Sequence, residues 1–239
     1  MGETTIQTSR GAMETYTARP SGGGPWPGVV VIHDAFGMTR ALREQADWLA
    51  GEGFFAAAPN LFRSESKWAC LRAAMREVAA RSGPTFDDIE ATRAWLTEQP
   101  GCGERIGVIG FCMGGGFAMA LAPGHGYAAS SVNYGRLPVD AETYLAGACP
   151  VVASYGGKDR RLRGVPGRLE KILTDQGVAH DVKEYAGAGH GFMEDHDPAE
   201  IPGLFVLLKK LMGAGYHEPS TLDARRRIVA FFDVHLKAS

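Results

Sequence analysis

Short apolar runs alternate with longer stretches whose apolar residues recur every three or four positions along most of the 239-residue chain. Residues 4–8 and 12–18 read as short strands joined at Arg10-Gly11. "VVVIH" (29–33), "FFAAAP" (54–59), "RIGVIG" (105–110), "AASSVNY" (128–134) and "PVVASYG" (150–156) are near-continuous apolar runs, as expected of strands buried on both faces. "HDVKEY" (180–185) alternates and reads as a late strand.

Between these runs the period changes to that of a helix. Leu42, Ala46, Leu49 and Ala50 predict a helix over 40–51, ended by Gly51 and Gly53. Trp68, Leu71, Met75 and Val78 predict a second with that face inward. Ile89, Thr92 and Leu96 predict a third over 85–98, with Asp87, Asp88 and Glu90 near its positive end. Further helices are expected over 113–122, 164–176 and about 221–237, the last capped by Ser220 and burying Ile228, Phe231 and Phe232. Leu204, Leu207, Leu208 and Leu211 mark one more apolar face, read as core; residues 192–219 are alternatively part of a lid. Strands alternating with helices predict one α/β domain, a mostly parallel sheet with helices on both faces.

Composition narrows the function. Net charge is −2, and the densest basic run, Arg225-Arg226-Arg227, falls on a predicted helix and reads as a solvated face. No nucleic-acid partner is expected. No apolar run reaches the length of a membrane span, and "MGETTIQTSRGAMETYTARP" has no signal-peptide core. Cys70, Cys102, Cys112 and Cys149 form no CxxC pair, so neither a redox dithiol nor a zinc ribbon is suggested. A reducing, cytoplasmic setting is expected.

In parallel sheets ligands bind beyond the carboxyl ends of the strands, so chemistry is sought just after a strand. Cys112 follows the 105–110 strand in "Gly110-Phe111-Cys112-Met113-Gly114", the G-x-S-x-G elbow with sulfur for oxygen. Glycines at both flanks let strand and helix approach closely, and the helix behind Cys112 brings a positive dipole end that favours a thiolate. Alone, the motif is also compatible with a buried, inert cysteine. Asp159, in "GGKD" after the 150–156 strand, is by itself an ordinary turn residue. His190, in "AGAGHGF" after the 180–185 strand, is by itself an exposed loop histidine. Together they stand in the chain order nucleophile, acid, histidine. His196 in "EDHDP" invites a metal reading with Asp195 and Asp197, but adjacent residues seldom converge on one ion. No metal or cofactor is expected.

With these segments in view, the chain resembles the dienelactone hydrolase family of the α/β hydrolases. "VVVIHDAFGM", "APNLF", "IGVIGFCMGG", "YGGKD", "YAGAGHGFM" and "RRRIVAFFDVHL" carry the resemblance over nearly the whole length. It implies a Cys112–His190–Asp159 triad and cleavage of an ester or lactone of a small molecule through an acyl-enzyme. The oxyanion is expected to meet the backbone N–H groups of Met113 and Ala35. Two positions depart from the family pattern. Asp34 stands where members place a glutamate that contacts the cysteine; it either keeps that auxiliary role or only braces its loop. Arg63 is a candidate for one of two substrate-binding arginines, but Glu194 occupies the place of the second. A substrate other than the carboxylate-bearing namesake is therefore expected, neutral or differently charged. A weakly catalytic ligand binder or thiol redox sensor is the rival reading, and a peptidase or thioesterase a third.

Overall fold

The computed structural model describes residues 1–63, 66–201 and 215–237. Its frame is one eight-stranded sheet. The strands are β1 (Gly2–Thr8), β2 (Gly11–Ala18), β3 (Trp26–Ile32), β4 (Phe55–Pro59), β5 (Cys102–Phe111), β6 (Ala129–Asn133), β7 (Val151–Gly156) and β8 (His180–Tyr185). They lie in the order β1-β2-β4-β3-β5-β6-β7-β8. β1 and β2 form an antiparallel edge, and from β4 onward all pairings are parallel. Every residue of β4, β6 and β7 is buried, which is why those segments read as unbroken apolar runs.

Among the described residues the α-helices are α1 (Arg40–Gly51), α2 (Lys67–Ala80), α3 (Pro84–Thr97), α4 (Met113–Leu121), the single turn α5 (Ala141–Tyr144), α6 (Val165–Asp175) and α7 (Glu218–Leu236). Neighbouring residues of β5 show that they cover both faces. A Cβ on Gly28 would meet Ile106 and Leu96 of α3, whereas one on Gly107 would meet Leu236 of α7. Side chains of successive strand residues point to opposite faces, so α3 and α7 flank the sheet from opposite sides. α7 lies beside α1, where Arg225 donates to Gln45 and stacks over Trp48.

Three expectations are corrected. α2 buries only Ala74, while Trp68 and Met75 are 54% and 40% exposed. Leu71 and Val78 pack against the core, while Met75 and Val78 line a cavity above α4. α7 starts at Glu218 with His217 at its cap, because Pro219 suits a first turn and the Thr221 N–H already reaches the His217 carbonyl at 3.0 Å. Ser220 sits inside that turn, against His217 Nδ1 at 2.9 Å. The basic triplet is not a solvated face throughout: Arg227 is partly buried and bonded to Asp181 and Tyr185. The leucine face at 204–211 lies outside the described residues, as do residues 202–214 of the segment considered as a lid.

Candidate active site

The strand register brings the candidate residues to one sheet end. Ile32 pairs with Gly110, and Phe111 with Asn133, so the turn after β3, the bend after β5 and the end of β6 are neighbours. The bend is forced tight. A Cβ on Gly110 would overlap the Gly114 carbonyl, and one on Gly114 would overlap the carbonyls of Ile32 and His33. Only a residue pair without side chains lets α4 begin directly behind β5 and press against β3. Cys112, between them, takes φ 53° and ψ −107°, a conformation costly for any residue but glycine. Its N–H is held by the Asn133 carbonyl at 3.0 Å, and its carbonyl accepts from Gly116 in the first turn of α4.

The turn after β3 is braced by His33. The Leu61 N–H donates to His33 Nε2 at 3.3 Å, which leaves Nδ1 to donate to the Asp34 carbonyl at 2.6 Å. Burial lowers the His33 pKa and keeps the ring neutral for that pair of bonds. Ala35, half-buried, follows Asp34 in this turn, while Met113 is buried at the start of α4.

Asp159 and His190 meet from the next two loops. Those loops are stitched together by the Gly157 N–H to Tyr185 carbonyl bond (2.8 Å) and by Lys158 to Ala188 (2.9 Å). Asp159 Oδ2 lies 2.5 Å from His190 Nδ1, and Oδ1 accepts from the Arg161 N–H at 3.1 Å. Burial works to raise the Asp159 carboxyl, but the bond to His190, the His190 charge and Arg161 outweigh it and hold it below the usual range. The Tyr134 ring packs edge-on against His190 at 5.2 Å. Cys112 and His190 then face one cavity of about 160 Å³, with Arg136, Arg161 and Leu162 on its walls.

Among the described residues no hydrogen bond joins Cys112 to His190. The thiol has other neighbours. Burial pushes its pKa up to about 12, assisted by the charges of Asp34 and Glu194, while the Met113 N–H and Arg161 act the other way. Asp34 is buried; it accepts from the Phe36 N–H at 2.8 Å and lies 3.1 Å from His196 Nε2. Glu194, also buried, accepts from the Tyr134 hydroxyl at 2.9 Å and lies 4.0 Å from His196. Ligating atoms of Asp34, Glu194 and His196 all lie within 4.8 Å of one another.

This geometry sorts the candidates. Cys112, His190, Asp159, Met113, Asp34 and Ala35 come from four loops at one sheet end. Arg63 does not join them. Its guanidinium donates to Thr8 (2.8 Å), Asp88 (3.2 Å) and the Ala12 carbonyl (2.7 Å), fastening the β1–β2 hairpin to α3. His196 turns inward to Asp34 and Glu194, while Asp195 is exposed. Sequence reasoning missed Tyr134, Arg136 and Arg161. All three follow the ends of β6 and β7, where the strand-end rule applied to β5 would have found them.

A family model, "Dienelactone hydrolase family", matches residues 13–236. The chain belongs to the dienelactone hydrolase family. It is thus a member of a family of hydrolases with the α/β hydrolase architecture described above. A Methylorubrum extorquens protein assigned as a carboxymethylenebutenolidase is 29% identical over 83% of this chain and 74% of its own. The carboxymethylenebutenolidase of Pseudomonas putida is 26% identical over 70% of this chain and 75% of its own. A solved structure from Klebsiella pneumoniae, assigned as a dienelactone hydrolase, superposes with TM-score 0.77 and 26% identity over 97% of each chain.

Proposed function

We propose that this member of the family hydrolyses carboxylic ester or lactone bonds of small molecules through Cys112, His190 and Asp159. The observation that carries the reading is the 2.5 Å bond from Asp159 to His190 beside a cavity shared with a cysteine on a strained strand–helix bend. Asp159 fixes the ring so that Nε2 is the free, basic nitrogen. In the resting site the thiol stays protonated among burial, Asp34 and Glu194. A turn about its Cα–Cβ bond aims it at His190, which takes the proton as sulfur attacks the carbonyl carbon. The oxyanion is met by the N–H groups of Met113 and Ala35. The tetrahedral adduct collapses, His190 protonates the departing alcohol, and a thioester on Cys112 forms. Water, deprotonated by His190, then releases the acid and returns the thiol. A lactone follows the same steps and leaves as a hydroxy acid. Asp34 serves as an auxiliary group that holds the thiol in its resting state. The free cysteines suit a reducing, cytoplasmic setting.

The resting thiol weighs against the sensor reading. Oxidation sensors depend on a low-pKa, accessible thiolate, and Cys112 is displaced in the opposite direction. The test is turnover of p-nitrophenyl acetate. Turnover is expected in the wild type and is lost by at least about a thousandfold in Cys112→Ala and His190→Ala. Undiminished turnover in either variant refutes the triad.

A further inference from the structure

The cavity at Cys112 is too small for the ligands such sites usually hold. Its roughly 160 Å³ falls below the roughly 300–1,000 Å³ of ordinary ligand pockets. A second chamber of about 470 Å³ adjoins it and shares the walls Met75, Val78, Gly116 and Arg136. The outer chamber runs between α2 and α4 and reaches Met119, Leu137, Val139 and Tyr144. Its lining is mainly apolar, and two of its charged groups, Arg81 and Asp140, are bonded to each other. Met75 and Val78 are the residues of the α2 face that line it, and Met75 and Val139, 40% and 91% exposed, stand on its solvent-open side.

We infer that the outer chamber houses the acyl chain of the substrate, so that this hydrolase prefers esters of apolar, medium-chain acids. The inference rests on the triad reading for its direction. His190 must protonate the leaving oxygen, and of these two cavities it lines the inner one, with Arg161 and Leu162 beside it. The alcohol part therefore stays on the β7–β8 side. The acyl part points the other way, across Gly116 and into the space between α2 and α4. Gly116 lets α2 approach α4 closely at the junction, since a Cβ there would come within 3.1 Å of Val78 Cγ1. Arg136 at the junction disfavours a cationic chain, whereas an alkyl chain meets Met75, Val78, Met119 and Leu137 among the lining side chains, and the charges of Arg81 and Asp140 are paired with each other.

The test is a series of p-nitrophenyl esters, acetate, butyrate, hexanoate and octanoate, on the full chain. kcat/KM is expected to rise at least about tenfold from acetate to octanoate, since a fully buried methylene can contribute about fourfold. Ala79→Trp and Leu137→Trp fill the outer chamber and line only that part of it. Ala79 is exposed, so its replacement is compatible with folding. Each variant is expected to lower the octanoate-to-acetate ratio at least about fivefold. A flat or falling wild-type series, or ratios unmoved in both variants, overturns the inference while Cys112-dependent acetate turnover leaves the triad standing. Loss of that acetate turnover itself overturns both.

Discussion

Neutralising the carboxylates around Cys112 should make the resting thiol more reactive. Cys112 is pushed up to about 12 where an unperturbed thiol would lie at 9.0. At neutral pH its thiolate is therefore about a thousandfold rarer than that of an ordinary cysteine. Burial is the largest cause, with Asp34 and Glu194 next. Removing one negative charge lowers the pKa and so recovers about tenfold at most. Asp34→Asn and Glu194→Gln should thus each speed iodoacetamide labelling of Cys112 several-fold, and the double variant by more. The assay is peptide-resolved mass spectrometry at about pH 7, which separates Cys112 from Cys70, Cys102 and Cys149; near-ultraviolet circular dichroism checks the fold. Because thiolate is the reacting form, the wild-type rate should climb about tenfold per pH unit through the range where free cysteine has already levelled off. Wild-type labelling as fast as a free thiol, with a plateau near pH 9, would refute the reasoning. So would slower labelling in both variants.

Arg63→Ala should cost stability and leave ester kinetics alone, because Arg63 shares the fully buried Asp88 with Arg10. A denaturant midpoint corresponding to about 1–3 kcal/mol less stability, with kcat/KM unchanged, is expected; a large rise in KM would restore Arg63 to the substrate site. Gly114→Ala places a methyl against the Ile32 carbonyl, a backbone atom that cannot turn aside. Thermal unfolding should show a loss of at least about 1–3 kcal/mol, with activity lost as well; a fully active, equally stable variant would contradict the elbow geometry. Treatment with a chelator should leave turnover unchanged, and a loss restored by zinc would instead assign Asp34, Glu194 and His196 as a metal site.

The β-strands were readable because both faces of most are buried, so their apolar runs are local signals that need no partner. The elbow was readable for a similar reason: Gly110 and Gly114 are needed by steric overlap within a few residues of Cys112. Asp159 and His190 could be picked out by their place after a strand, although their hydrogen bond depends on loops 31 residues apart. What joins distant parts of the chain was not readable. The Asp34–His196 contact joins residues separated in sequence by β4 to β8, and the local pattern directed attention to Asp195 and Asp197 instead. Arg63 looked like a ligand-binding residue because nothing in its neighbourhood of sequence announces Thr8, Ala12 and Asp88. Met75 looked like core because an apolar face opening on a cavity has the same period as one packed on a sheet.

The proposed hydrolysis passes through a covalent intermediate on Cys112. Rapid acid quench during turnover of p-nitrophenyl acetate, followed by peptide mass spectrometry, should find one acetyl group on the peptide carrying Cys112, with none in Cys112→Ala. Full turnover with that peptide unmodified, or with the acetyl group on another residue, would contradict it.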